Sequence, residues 1–192
     1  MKKWLPIIFL IIACLVTVII LLSPYGPHKG FSYRLVKHTV EINVPVKNVF
    51  NFLGNSKNAS RWSVFVHHIN TLNADVVPDG RPGSRRRCFC RADEKGRQWD
   101  ELITEVIPNQ KRQLTIYNLK DFPVTAKNLA TEQLYETVNE SKCRLTFTVF
   151  FKDAEPSLME KIKMYMAAYK IKSIFKRNMA NIKMIVEAEK ND

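Results

Sequence analysis

The feature that most constrains this chain is a single change in the period of its apolar residues near Asp153. Before it, Cys143, Leu145, Phe147, Val149 and Phe151 alternate with Lys142, Arg144, Thr146 and Thr148, the two-residue period of a strand with one buried face. After it, Leu158, Ile162, Tyr165, Ala168, Ile171, Phe175, Met179, Ile182 and Val186 recur at about 3.6 residues and form one helical stripe. Pro156 suits the first turn of this helix, and Ser157 with Glu160 has the spacing of a capping box. The chain therefore ends on a strand followed by one long helix.

Upstream, strand-like segments repeat. The spacing predicts extended chain over 36–44, 64–72, 84–92, 97–107, 111–117, 128–138 and 142–152. Turn residues mark the joins: Pro78-Asp79-Gly80, Pro82-Gly83, Glu94-Lys95-Gly96, Pro108-Asn109 and Asn139-Glu140. Two short helices interrupt the series, one opened by Pro45 and stopped at Gly54, the other over 58–62. The order predicts an α+β helix-grip fold: a curved antiparallel sheet of about seven strands around the C-terminal helix. Such a sheet leaves a space that apolar side chains line without filling, hence a ligand cavity.

The run Trp4–Leu22 carries no charge and follows Lys2 and Lys3. As a helix it spans about 28 Å, near the thickness of a bilayer's hydrocarbon core, so the sequence predicts one transmembrane helix ahead of the domain. The domain plan is an anchor over 1–22, a Pro- and Gly-rich linker over 23–30 and a folded domain over 31–192. Ile11-Ile12-Ala13-Cys14 resembles a lipoprotein cleavage motif, but the apolar run continues from Leu15 to Leu22, which favours a retained helix. The expected location is a single-pass membrane protein. Lys2 and Lys3 lean the domain towards the extracytoplasmic side, whereas Lys29, Arg34 and Lys37 nearly balance them.

A formal charge of +12 suits phosphate-bearing partners of any kind. Behind a membrane anchor it points to lipid headgroups and the membrane rather than to nucleic acid. Three cysteines outside the anchor, Cys88, Cys90 and Cys143, lack zinc spacing and imply no disulfide framework.

The order of elements over 31–190 resembles the START-like or SRPBCC superfamily, which includes polyketide cyclase/dehydrase-type proteins. The residues that carry the likeness are Val40-Glu41-Ile42-Asn43-Val44-Pro45-Val46-Lys47-Asn48-Val49-Phe50, then Trp62-Ser63, Gly83, and Trp99-Asp100-Glu101-Leu102-Ile103-Thr104-Glu105-Val106-Ile107-Pro108. This resemblance implies binding of a lipid or other hydrophobic small molecule, and possession of an N-terminal membrane segment like that of many bacterial members. Enzymatic members place polar residues in the same cavity, so whether this chain is an enzyme stays open.

Candidate cavity residues are Phe50, Trp62, Phe65, Trp99, Tyr117, Tyr135, Phe147, Phe151, Tyr165, Ile171 and Phe175, all on elements expected to face inward. Glu101 and Glu105 fall on one face of a strand and are the candidates for acid–base chemistry, the alternative being charges exposed towards Arg and Lys. Arg85, Arg87 and Arg91 share the opposite face from Cys88 and Cys90 and read as solvated. Adjacent His67 and His68 on a strand point apart and share no metal. With no HExxH, phosphate loop or nucleophile elbow, neither a metal nor a cofactor is expected. A third possibility is an interaction module whose basic face docks a partner or an anionic membrane.

Overall fold

The computed structural model describes residues 4–122, 129–152 and 156–189. Lys2, Lys3, Asn128, Asp153 and the chain's last residues, all used above, lie outside the described residues.

Seven antiparallel strands form one sheet: β1 (Leu35–Ile42), β2 (His68–Thr71), β3 (Arg85–Phe89), β4 (Gln98–Ile107), β5 (Lys111–Lys120), β6 (Leu129–Asn139) and β7 (Lys142–Phe151). Their order is β1-β7-β6-β5-β4-β3-β2, a meander of hairpins whose last strand receives β1 at its side. Helix α2 (Val46–Gly54), a 3-10 turn (Ser56–Asn58) and α3 (Ala59–Trp62) follow β1, and α4 (Leu158–Ala188) closes the chain. The predicted helix-grip arrangement is what the chain adopts. The segment over 64–72 is mostly irregular, leaving β2 with four residues.

The capping box at α4 forms as expected: the Ser157 hydroxyl accepts from the Glu160 amide, and the Glu160 carboxylate accepts from the Ser157 amide. Because β1 is an edge strand, some of its carbonyls lack a strand partner. Lys172 Nζ donates to Lys37 O at 2.6 Å and Lys183 Nζ to Glu41 O at 2.7 Å, so α4 is tied along that edge. At α3, Asn178 Oδ1 accepts from the Val64 amide at 2.8 Å and Asn181 Nδ2 donates to Trp62 O at 3.0 Å.

The filled core lies over β1, β7 and β6. One cluster joins Ile42, Val49, Leu53, Leu145, Met179 and Ile182; a second joins Tyr25, Val36, Val149, Met164 and Ala168. Tyr25, inside the expected linker, is buried: it sits edge-on to Phe151 and Tyr165, and Gly26 bridges to Leu35. The predicted inward stripe of α4 holds from Ala168 onward, but Leu158 at its start is exposed.

Helix α1 (Leu5–Leu22) forms where the apolar run predicts it, with large exposed apolar side chains such as Phe9 and Leu21. At 18 residues it reaches about 27 Å, short of a hydrocarbon core of about 30 Å. No helix among the described residues is long and apolar enough to cross a membrane. The expected span is therefore present as a helix and not established as a crossing.

Candidate functional site

The half of the sheet away from the core, β5 to β2, does not close on α4. Between them lies a cavity of about 490 Å³, walled by β2 to β7, α3 and the middle of α4. Alternation places Leu114 and Ile116 of β5 and Cys88 of β3 on its floor, while Met164, Ile171 and Phe175 of α4 form the roof.

Of the eleven candidate residues, Trp62, Phe65, Trp99, Phe147, Ile171 and Phe175 line this cavity. Phe65 stacks on Trp99 with ring centroids 5.5 Å apart, and Phe122 meets both edge-on at 5.9 and 5.8 Å. Exposed Arg97 lies over Phe122, and exposed Lys170 of α4 also lines the space, so this aromatic cluster sits at a mouth with cations beside it.

The other five do not line the cavity, for identifiable reasons. Phe50 packs edge-on to Tyr135 beneath the guanidinium of Arg112. Tyr135 and Phe151 belong to the filled core, and Tyr165 is spent holding Tyr25. Tyr117 pairs with Asp100 across the strands, on the face opposite its neighbour Ile116. Burial and the negative charge of Asp100 push the Tyr117 hydroxyl's pKa up.

The two candidate carboxylates part company. Glu101 lines the cavity, and its Oε1 accepts from Trp99 Nε1 at 2.9 Å. Glu105 points the other way and pairs with Lys111 at 2.8 Å on the outer face. The cause is a β-bulge at Thr104: Ile103 pairs with Leu114, but Glu105 pairs with Gln113, so one extra residue reverses the alternation.

Cavity polarity extends beyond Glu101 to residues that strand spacing alone does not single out. Arg86, directly across from Glu101, is buried and faces the cavity, while its neighbours Arg85 and Arg87 face outward. The pair does not bond. Arg86 Nε donates to Asp79 Oδ1 at 2.8 Å and its Nη2 to Gly54 O at 3.3 Å, which draws it away from Glu101. Gly80 allows this, because its φ of 83° and the Gly54 carbonyl, 2.7 Å from where a Cβ would sit, exclude a side chain. Cys88 lies beside Glu101; burial first, then that carboxylate, raises its thiol well above the usual range.

Behind the cavity, Arg112 is almost fully buried, and no carboxylate among the described residues pairs with it. Its Nη1 donates to Tyr135 Oη at 2.9 Å and to Gln133 Oε1 at 3.0 Å, while its Nε has no partner. Burial lowers its pKa. The Gln133 carbonyl also accepts from Tyr135 Oη at 2.6 Å, which leaves the amide nitrogen as the group Gln133 offers the cavity.

His67 and His68 differ from expectation. β2 begins at His68, so strand alternation does not separate them, and their Nδ1 atoms lie 2.9 Å apart. Among the described residues no group of three or more metal-ligating side chains gathers, there or elsewhere.

A curved sheet gripping a long helix over an apolar cavity, with a few convergent polar groups, defines a helix-grip small-molecule-binding domain. The chain belongs to the family described as polyketide cyclase / dehydrase and lipid transport, whose profile matches residues 34–187. Among curated proteins none matches it by sequence. Solved structures share the fold at low identity. A protein of Nitrosospira multiformis is 12% identical, with TM-score 0.61, covering 82% of this chain and 99% of that one. A protein of Thermobifida fusca is 15% identical, with TM-score 0.58, covering 79% and 92%. The di-domain ARO/CYC protein BexL of the BE-7585A biosynthetic pathway is 14% identical, with TM-score 0.57, covering 83% of this chain and 48% of BexL.

Proposed function

We propose that the protein binds, and passes on, a lipid or other hydrophobic small molecule while held at a membrane by α1. The observation that carries this reading is the cavity itself: about 490 Å³ of mostly apolar space under an aromatic mouth, within the range of small-molecule sites. A module acting only through its basic surface has no use for an unfilled interior. The family's description, which includes lipid transport, supports the same reading. For the anchor, the support is an uncharged helix whose exposed apolar side chains need a nonaqueous cover. Lys2 and Lys3 ahead of it favour a domain outside the cytoplasm.

One observation favours a second reading. Glu101 is a carboxylate lining an apolar cavity, across from Arg86 but bonded to Trp99 instead, which suits proton transfer on a bound carbonyl compound in a cyclase or dehydratase. Native mass spectrometry of the full chain released from mild detergent separates the two. The binding reading expects one retained amphiphile per chain, kept in Glu101→Gln. An empty chain that also fails to take up a fluorescent fatty-acyl probe would sink it. Conversion of an added polyketide-like substrate that stops in Glu101→Gln would establish the enzyme.

A further inference from the structure

Helix α4 carries two apolar stripes where a surface helix needs one. The inward stripe, Met164, Ala168, Ile171 and Phe175, covers core and cavity. On the opposite side, in the first half only, Leu158, Ile162, Met166 and Tyr169 follow one another at helical spacing. Leu158 is 75% exposed and Met166 62%, and Tyr169 and the adjoining Met159 are exposed too. Lysines border this second stripe on both flanks, Lys163 and Lys170 on one and Lys161 on the other, where Lys172 turns instead to the Lys37 carbonyl. The far half of α4 exposes a single large apolar side chain, Met184.

The stripe is continuous with α1. Tyr169 Oη donates to Ile19 O at 3.4 Å, and Ser23 Oγ donates to Tyr165 O at 3.0 Å, so the C-terminal end of α1 abuts the end of the stripe at Tyr169. An apolar band beside a helix that is apolar all round, with lysines along both borders, has the chemistry of a helix lying in the headgroup layer of an anionic bilayer. Lys170 belongs to both places: it borders the stripe and lines the cavity.

We infer that the first half of α4 lies in the interfacial layer of an anionic membrane, with the cavity mouth at headgroup level. This placement rests on the attachment of α1 proposed above. An apolar ligand then passes between bilayer and cavity beside Lys170 without crossing bulk water.

The test uses the full chain in vesicles of phosphatidylcholine with about a third phosphatidylglycerol, carrying p-benzoylphenylalanine in place of Met166 or, separately, of Met184. Irradiation should give lipid adducts from position 166 about tenfold above those from 184. Combining Lys161→Glu with Lys163→Glu should reduce them. Equal yields at the two positions overturn the inference, and an adduct joining two chains at 166 makes the stripe a contact between copies instead. A chain that floats with the vesicles but gives no lipid adduct at 166 refutes this placement alone. One that does not float refutes the attachment of α1 as well.

Discussion

Asp79 connects the turn before β3 to the buried Arg86 of the cavity wall. Its Oδ1 accepts from Arg86, and its Oδ2 accepts from the Ser56 amide at 3.0 Å. Burial works to raise the carboxyl pKa, but the charge of Arg86 and the Ser56 amide outweigh it and hold it below the usual range. A depressed carboxylate contributes stability that is complete above its unfolded value of about 3.9 and is lost as pH falls through the folded value. Asp79→Asn should therefore destabilise the neutral protein by about 2 kcal/mol, below the roughly 3–5 kcal/mol of a sealed pair. The reduction reflects the quarter of the Asp79 side chain that remains exposed. Urea unfolding from about pH 7 downward should show the gap between wild-type and variant stabilities constant to about pH 4 and narrowing below it. Parallel profiles would mean that Asp79 titrates without coupling to the fold.

At the scale of elements, the sequence is legible wherever a period runs unbroken. Helix α4 and its cap are the clearest case. Ser157→Ala should cost about 1 kcal/mol and speed amide exchange at Glu160, with little change beyond the first turns. Exchange unchanged at Glu160 would show that the cap does not hold that end. Strand β4 is the contrary case. No Gly or Pro marks Thr104, yet the bulge there sends Glu101 into the cavity and Glu105 out of it. Alternation places Arg86 inward beside Cys88, away from the outer face of Arg85, Arg87 and Arg91, but does not say what neutralises it there. That partner is Asp79, whose direction comes from a turn and from no period. The candidates that lie outside the cavity do so for a related reason: period tells which face is inward, not which inward residues meet a partner. Tyr135 and Phe151 face inward over the filled half of the sheet, Trp99 and Phe65 over the open half.

The whole molecule depends on that division, since one helix must close a core and roof a cavity along the same length. Two neighbouring alanines report it separately. Ala168 is fully buried in the core beside Met164, whereas Ala167 lines the cavity. A phenyl ring at Ala168 has no room, so Ala168→Phe should destabilise by about 1–3 kcal/mol through overpacking. A ring at Ala167 enters open space, so Ala167→Phe should keep the empty protein as stable as the wild type or slightly raise it through added apolar burial. Its cost should fall on the ligand. Any molecule that binds only the folded state stabilises it by RT ln(1 + L/Kd), where L is the free ligand concentration, so the melting temperature keeps rising with ligand concentration. A fatty-acyl probe should therefore raise the wild-type Tm with concentration and raise that of Ala167→Phe far less. If Ala167→Phe destabilises the empty chain as much as Ala168→Phe, the space above β5 to β2 is filled in solution. If the probe shifts both proteins alike, the ligand binds elsewhere than between sheet and helix.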